Sequence, residues 1–270
     1  MRSIGDEGRP VSAISGASSG FGAIFARRFA AMGHDLLLIA RRKERLDQLA
    51  DELASKYGVA VEVLTADAAK REELAAAEKR IAELNTLEYM VNSAGFGADQ
   101  TFPNLDVALE TRMIEVHCIA TMRLCEAALL PMAAKKGGKI INIASAAGFM
   151  AGGGAADYTA TKAYIITFSR SLQSDVARYG VRVQALCPGF AKTEFHDSET
   201  MKQSPIKSNV PGWLWISAER VVSASLAAFR RPSFGRVVCI PSLRYKFITW
   251  AASAWWLAPL RIFFSGGHIR

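Results

Sequence analysis

The chain has 270 residues, half of them apolar, and no long polar tract; it can bury one large core, which excludes a disordered or fibrous protein. Its four cysteines, Cys118, Cys125, Cys187 and Cys239, are too far apart for metal ligation, so reduced thiols in a cytoplasmic protein and no metal are expected. The net charge of +8 is uneven: residues 201–270 carry ten Lys or Arg against the single acid Glu219, while the first 200 residues are nearly neutral. Such an excess suits an anionic membrane, a nucleic acid or an anionic substrate.

Residues 1–9 form a polar extension without the apolar stretch of a secretory signal. An apolar run at 10–14 predicts a first strand, followed by a Gly- and Ser-rich turn at 16–22 and a helix at 23–32. Strands are then expected at 34–40, 59–66, 87–92, 139–144, 181–187 and 236–240, with helices at 43–56, 70–84, 106–134, 157–179 and 218–230. Strands alternating with helices imply right-handed crossovers and a parallel sheet of about seven strands with helices on both faces: a single doubly wound, Rossmann-type α/β domain over 10–242. Ligands of such sheets bind beyond the carboxyl ends of the strands.

The turn after the first strand reads Ser15-Gly16-Ala17-Ser18-Ser19-Gly20-Phe21-Gly22. Glycines there let the backbone approach a pyrophosphate, whose charge faces the helix N-terminus. The second strand ends in Ala40-Arg41-Arg42, where an NAD site usually has an acid for the ribose hydroxyls. A guanidinium instead suits a 2′-phosphate, so NADP(H) is expected, with Arg41 the nearer contact and Arg42 beside it. Asp67, after the third strand, has the type and place to bond the adenine edge.

Tyr158 and Lys162 lie one helical turn apart and share a face, and Ser145 follows the fifth strand. A phenol becomes an acid–base group near neutral pH when a neighbouring cation favours its phenolate, and a hydroxyl beside it can hold a substrate oxygen. These motifs, with Asn92-Ser93-Ala94-Gly95, Tyr158-Thr159-Ala160-Thr161-Lys162, Pro188-Gly189 and Thr193, resemble the short-chain dehydrogenase/reductase family, in an NADP-preferring bacterial branch. The resemblance runs from Val11 to Ile240. It implies that Ser145 orients the substrate oxygen, Tyr158 is the general acid or base, Lys162 lowers the tyrosine pKa and binds the nicotinamide ribose, and Thr193 meets the carboxamide. Gly16, Ser18, Ser19, Gly20, Phe21, Gly22, Asn92, Ala94, Gly95, Pro188 and Gly189 complete the expected cofactor contacts. The implied reaction is hydride transfer between cofactor and an alcohol, ketone or aldehyde.

His117 stands where the family places the asparagine of a proton relay. Its carbonyl is retained and its ring can donate or accept, so an altered relay is one reading; a cofactor-binding regulatory or structural protein of little activity is the alternative. The irregular stretch 193–217, with Trp213 and Trp215, is similar to the family's mobile substrate lid and equally fits a loop pinned by its tryptophans; a lid of this composition suits an apolar substrate. The tail at 243–270 has fourteen uncharged residues (247–260) that are too short to span a bilayer and are interrupted by Pro259. It fits a subunit contact in a dimer or tetramer, packing on the substrate cleft, or peripheral membrane contact through 244–264; tryptophan runs of this kind make poor nucleic-acid grooves, so no nucleic-acid partner is expected.

Overall fold

A computed structural model describes residues 3–98, 100, 102, 105–150, 155–198, 200–201, 204, 206–230 and 236–253. The elements in chain order are β1 (Val11–Ser15), α1 (Gly20–Ala31), β2 (Asp35–Ala40), α2 (Lys43–Tyr57), β3 (Val61–Thr65), α3 (Arg71–Ala82), β4 (Leu87–Asn92), α4 (Val107–Ile114), α5 (Ala120–Ala134) and β5 (Gly138–Ile143). There follow α6 (Ala156–Val176), β6 (Val181–Leu186), β7 (Ala191–Lys192), α7 (Ile206–Asn209), β8 (Ile216–Ser217), α8 (Ala218–Phe229), β9 (Val238–Cys239) and α9 (Leu243–Ser253).

Seven strands form one parallel sheet in the order β3-β2-β1-β4-β5-β6-β9, and β7 pairs with β8 separately. The Leu-Leu-Leu-Ile centre of β2 is buried on both faces, which is why it is continuously apolar. Alternate residues divide between two cores. Leu36 and Leu38 join Phe25 and Phe29 of α1, Leu46, Leu49 and Leu53 of α2, and Val221 and Val222 of α8. Leu37 and Ile39 join Leu74 and Ile81 of α3 and Leu124 and Met132 of α5 on the opposite face. The spacing of the α2 leucines gives that helix one apolar stripe, and Gly58 ends it in the left-handed conformation.

The helix expected at 106–134 is present over 107–134 and contains a π-helical turn. Asp106 caps α4, and the π-helical turn at residues 115–119 precedes α5, with the Ala120 N–H reaching back to the Glu115 carbonyl. The strand expected at 236–240 is only two residues long, because β6 offers partners to Val238 and Cys239 alone. The four thiols are free.

The beginning of the apolar tail is the helix α9, and its Tyr245 joins the α1–α2–α8 core. The Tyr245 hydroxyl donates to the Leu214 carbonyl at 3.0 Å and accepts the Phe190 N–H at 3.0 Å. Its ring lies where a Cβ on Gly189 would be, so glycine is required there. One side chain thus ties α9 to both the Pro188–Phe190 turn and the short turn at Gly212–Leu214 that precedes β8. The remainder of the tail, 254–270, lies outside the described residues. Among the described residues, no helix is long and apolar enough to cross a membrane.

Tyr245→Phe keeps the ring but takes the hydroxyl from two partly buried backbone groups, and the expected loss is about 1–3 kcal/mol in urea unfolding. A change below about 0.3 kcal/mol, well short of that range, would show that the hydroxyl does not anchor α9.

Candidate active site

Strand order reverses between β1 and β4, where crossovers leave to opposite sides and open a crevice at the carboxyl ends. A cavity of about 1120 Å³ occupies it, running from Arg41, Arg42, Arg45 and Asp67, past the turn at 15–21, to Ser145, Tyr158 and Lys162.

At the first end two backbones nearly touch. Gly16 has φ +69°, and a Cβ there would fall 2.6 Å from the Ala94 nitrogen. The Ser15 hydroxyl accepts the N–H groups of Ser93 at 3.2 Å and Ala94 at 3.4 Å, joining the end of β1 to the loop after β4. Gly22 lies beneath the turn, where a Cβ would strike the Gly16 carbonyl, and does not itself line the cavity. The N-terminus of α1 at Gly20 opens toward the cavity, with Thr193 above it.

The arginines divide their work. Arg42 donates to the Ser18 hydroxyl at 3.0 and 3.1 Å and to the Ser19 hydroxyl at 2.7 Å, and so braces the glycine turn. Arg41 lines the cavity and has no hydrogen bond or ion pair among the described residues. Arg45 was not singled out from sequence, although it follows Arg42 by one helical turn. It donates to Glu194 at 2.6 Å, and Arg42 lies 3.5 Å from the same carboxylate oxygen. Asp67 lines the cavity while accepting from Arg112 at 2.6 Å and from the Ala69 N–H at 3.0 Å. Asn92 turns away from the cavity: its amide donates to Asn142 at 2.8 Å and to the Cys125 sulfur at 3.3 Å, a buried bridge between β4, β5 and α5. Ala94, Gly95, Pro188, Gly189 and Phe21 line the cavity.

At the other end, Ser145 closes β5 and caps a short turn, its hydroxyl accepting the Ala147 N–H at 3.1 Å. Tyr158 and Lys162 face the same cavity from α6, with the ammonium 5.6 Å from the phenol ring centroid and donating to the Ile143 carbonyl at 3.0 Å. Burial lowers the Lys162 pKa to about 8. Burial also raises that of Tyr158, with Ser145 pulling it the other way. The sequence led us to expect a lysine that lowers the tyrosine pKa. In the protein alone desolvation dominates both groups, weakening the ammonium and keeping the phenol protonated.

His117 is buried in the π-helical turn. Its Nδ1 lies 2.9 Å from the Thr161 hydroxyl, and its Nε2 accepts the Phe96 N–H at 3.2 Å. Burial, and secondarily the charge of Lys162, hold its pKa well below the ordinary histidine value. The cavity lining includes the apolar Phe96, Met150, Phe195, Met201 and Ile206 alongside the polar Asp197, Ser198 and Thr200, and the Phe195 ring lies 5.9 Å from that of Tyr158. Thr193 caps the turn that carries Phe195. Of the two tryptophans in the expected lid, Trp215 packs on Phe190 and His196, whereas Trp213 is exposed.

A family model described as short chain dehydrogenase matches residues 10–204. The chain is 30% identical over 219 residues to a 3-oxoacyl-acyl-carrier-protein reductase of Aquifex aeolicus, covering 80% of this chain and 88% of that protein. Among solved structures it is similar to a short-chain dehydrogenase from Sphingobium yanoikuyae in complex with NADPH, with 33% identity and a TM-score of 0.81 over 97% of this chain and 96% of that one. It is also similar to a bulky-bulky ketone specific alcohol dehydrogenase from Comamonas testosteroni, with 29% identity and a TM-score of 0.77 over 97% of both chains.

The buried Lys162 predicts a stability effect of definite sign. Its folded value, about 8, lies below the ordinary 10.5, so the unfolded chain takes up the proton first as pH falls. Stability therefore drops as pH falls from 10.5 to about 8, and the deficit is constant below that. Lys162→Met should raise stability at pH 7 by about 1–2 kcal/mol, the linkage gain less one lost hydrogen bond. Thermal unfolding at pH 7 checks it, and a lowered Tm would refute it.

Proposed function

The chain belongs to the short-chain dehydrogenase/reductase family, and from that premise we propose that it is an NADP(H)-dependent oxidoreductase interconverting a secondary alcohol and a ketone or aldehyde, with Tyr158 as general acid or base. The observation that carries this reading is the single cavity joining an arginine-lined end to a tyrosine–lysine–serine end. A dinucleotide fits it on two grounds: the glycine turn and the N-terminus of α1 open onto the cavity at Ser18–Gly20, and Arg41 has its guanidinium uncommitted among the described residues.

In this reading the turn Gly16–Gly20 and the N-terminus of α1 would hold the pyrophosphate, Arg41 the 2′-phosphate and Asp67 the adenine. Lys162 and Thr193 would hold the nicotinamide end. When bound, the nicotinamide supplies or accepts a hydride. The Ser145 hydroxyl donates to the substrate oxygen and fixes its distance from Tyr158. In the reducing direction Tyr158 gives its proton to that oxygen, and burial keeps the phenol in the protonated form this step needs. The apolar side chains Phe96, Met150, Phe195, Met201 and Ile206 support a bulky apolar carbonyl substrate.

One exposed surface bears on association. Leu243, Phe247 and Trp250 lie on one exposed stripe of α9, near the exposed Trp213. We read this stripe as a contact with a second copy of the chain, and peripheral membrane contact is its competitor. Flotation with anionic liposomes decides between them, because a copy-to-copy contact leaves the protein unfloated.

The enzymatic reading is tested by following NADPH absorbance against a panel of bulky ketones and aldehydes. Tyr158→Phe should lower kcat by about 10²–10⁴-fold, with NADPH binding intact. Arg41→Ala should weaken NADPH by about tenfold or more while leaving NADH within about twofold, the loss expected for one charge-assisted phosphate contact. Intact NADPH binding with no turnover of any compound would favour a cofactor-binding protein without catalysis; equal losses for both cofactors would remove Arg41 from phosphate recognition.

A further inference from the structure

We infer that His117 is a positioning residue: its imidazole, held neutral in one tautomer, clamps the Phe96 amide to the Thr161–Tyr158 turn of α6 and does not carry the proton of the reaction. The inference rests on the oxidoreductase reading only for its effect on turnover.

The hydrogen-bond directions leave one assignment. The Phe96 N–H can only donate, so the Nε2 that it meets at 3.2 Å has no proton. The proton of a neutral ring then sits on Nδ1 and is donated to the Thr161 hydroxyl at 2.9 Å. That hydroxyl spends its own hydrogen on the Tyr158 carbonyl at 2.9 Å. Three bonds run one way from the loop after β4 to the residue proposed to move the substrate proton, and each hydrogen in the chain is used. A relay through the ring would require Nε2 to accept a proton, which breaks the Phe96 bond.

The surroundings oppose that protonation from every side. His117 is 1% exposed, and its ring meets Phe96 at 6.0 Å and Tyr158 edge-on at 5.9 Å. The groups facing it are the Tyr158 ring and the Lys162 ammonium on α6 and the Phe96 backbone. None is a carboxylate that would hold an imidazolium. Gly95 leaves the room the ring needs, since a Cβ there would stand 2.8 Å from Nε2.

Side-chain length makes the idea separable from a relay that needs only the backbone carbonyl of residue 117. An asparagine amide ends near the place of Nδ1 and falls short of the Phe96 amide; a glutamine amide reaches the place of Nε2. The same variants therefore rank differently under the two accounts.

The test uses the full chain with histidines labelled in both ring nitrogens, the His117 signals being assigned by their loss in H117Q. The clamp predicts a protonated Nδ1 and a bare Nε2 whose shifts do not move between pH 8 and pH 5. In NADPH turnover it predicts kcat lowered about tenfold in H117A and H117N, the order of one lost buried hydrogen bond, with H117Q within about threefold of wild type. A proton on Nε2, a ring that titrates near neutral pH, or H117N matching wild type would overturn the clamp. If no carbonyl compound is reduced, the oxidoreductase reading fails by itself, and the ring-nitrogen spectra still decide the inference.

Discussion

Gly16 and the Ser93–Ala94 backbone approach so closely that no side chain fits between them, and the Ser15 hydroxyl bonds both amides across the gap. This contact sits where the order of the parallel strands reverses, and it fixes the separation of β1 from β4 at their carboxyl ends. The cavity floor, the opening of α1 and the loop carrying Gly95 and Phe96 take their positions from it. Without that approach the arginine end and the tyrosine end would not share one crevice. The two apolar layers that cover the sheet make the contact rigid, because β1 is buried along its whole length.

The same rigidity holds polar groups at fixed places between the apolar layers. Lys162 is held to a backbone carbonyl with a weakened ammonium, Tyr158 keeps its proton, and His117 has its ring nitrogens committed to neighbours. The buried ammonium is destabilising taken alone, and the core offsets it. Placing the proton-bearing phenol and the amine on one helix turn, with serine on the facing strand end, couples their positions to the sheet rather than to a loop. Loops supply apolar residues of the cavity instead, with Phe195 and Met201 leaning toward Tyr158 and Gly97. Such a division leaves chemistry on the scaffold and selectivity on the more variable segments.

Much of this was written locally in the sequence. Alternating apolar runs and amphipathic helices announce the doubly wound sheet, and the glycine turn, the Arg41 substitution and the Tyr158–Lys162 spacing are all short-range signals. What the sequence hid depends on contacts between distant segments. No local pattern tells that Tyr245 fills the space beside Gly189, so the sequence left open which surface the first turns of the apolar tail pack on, while in the structure they join the core. Asn92 reads as a cleft residue by its motif, yet the strand pleat turns it into a buried bridge with Asn142. The π-helical turn adds one residue to a helix whose composition shows no interruption. Arg45 had a visible signal, its spacing from Arg42, but its partner Glu194 is 149 positions away. The residues beyond 253, which include most of the tail's tryptophans, lie outside the described structure and keep their sequence reading as an expectation.

The measurement that bears most directly on the central claim is a crystal structure of the protein with NADPH. The account predicts the pyrophosphate over Gly16–Gly20, the 2′-phosphate on Arg41, and the nicotinamide beside Tyr158 and Lys162 with an apolar pocket above it. A cofactor bound elsewhere, one bound in the reverse orientation, or failure of NADPH to bind the folded protein would contradict it.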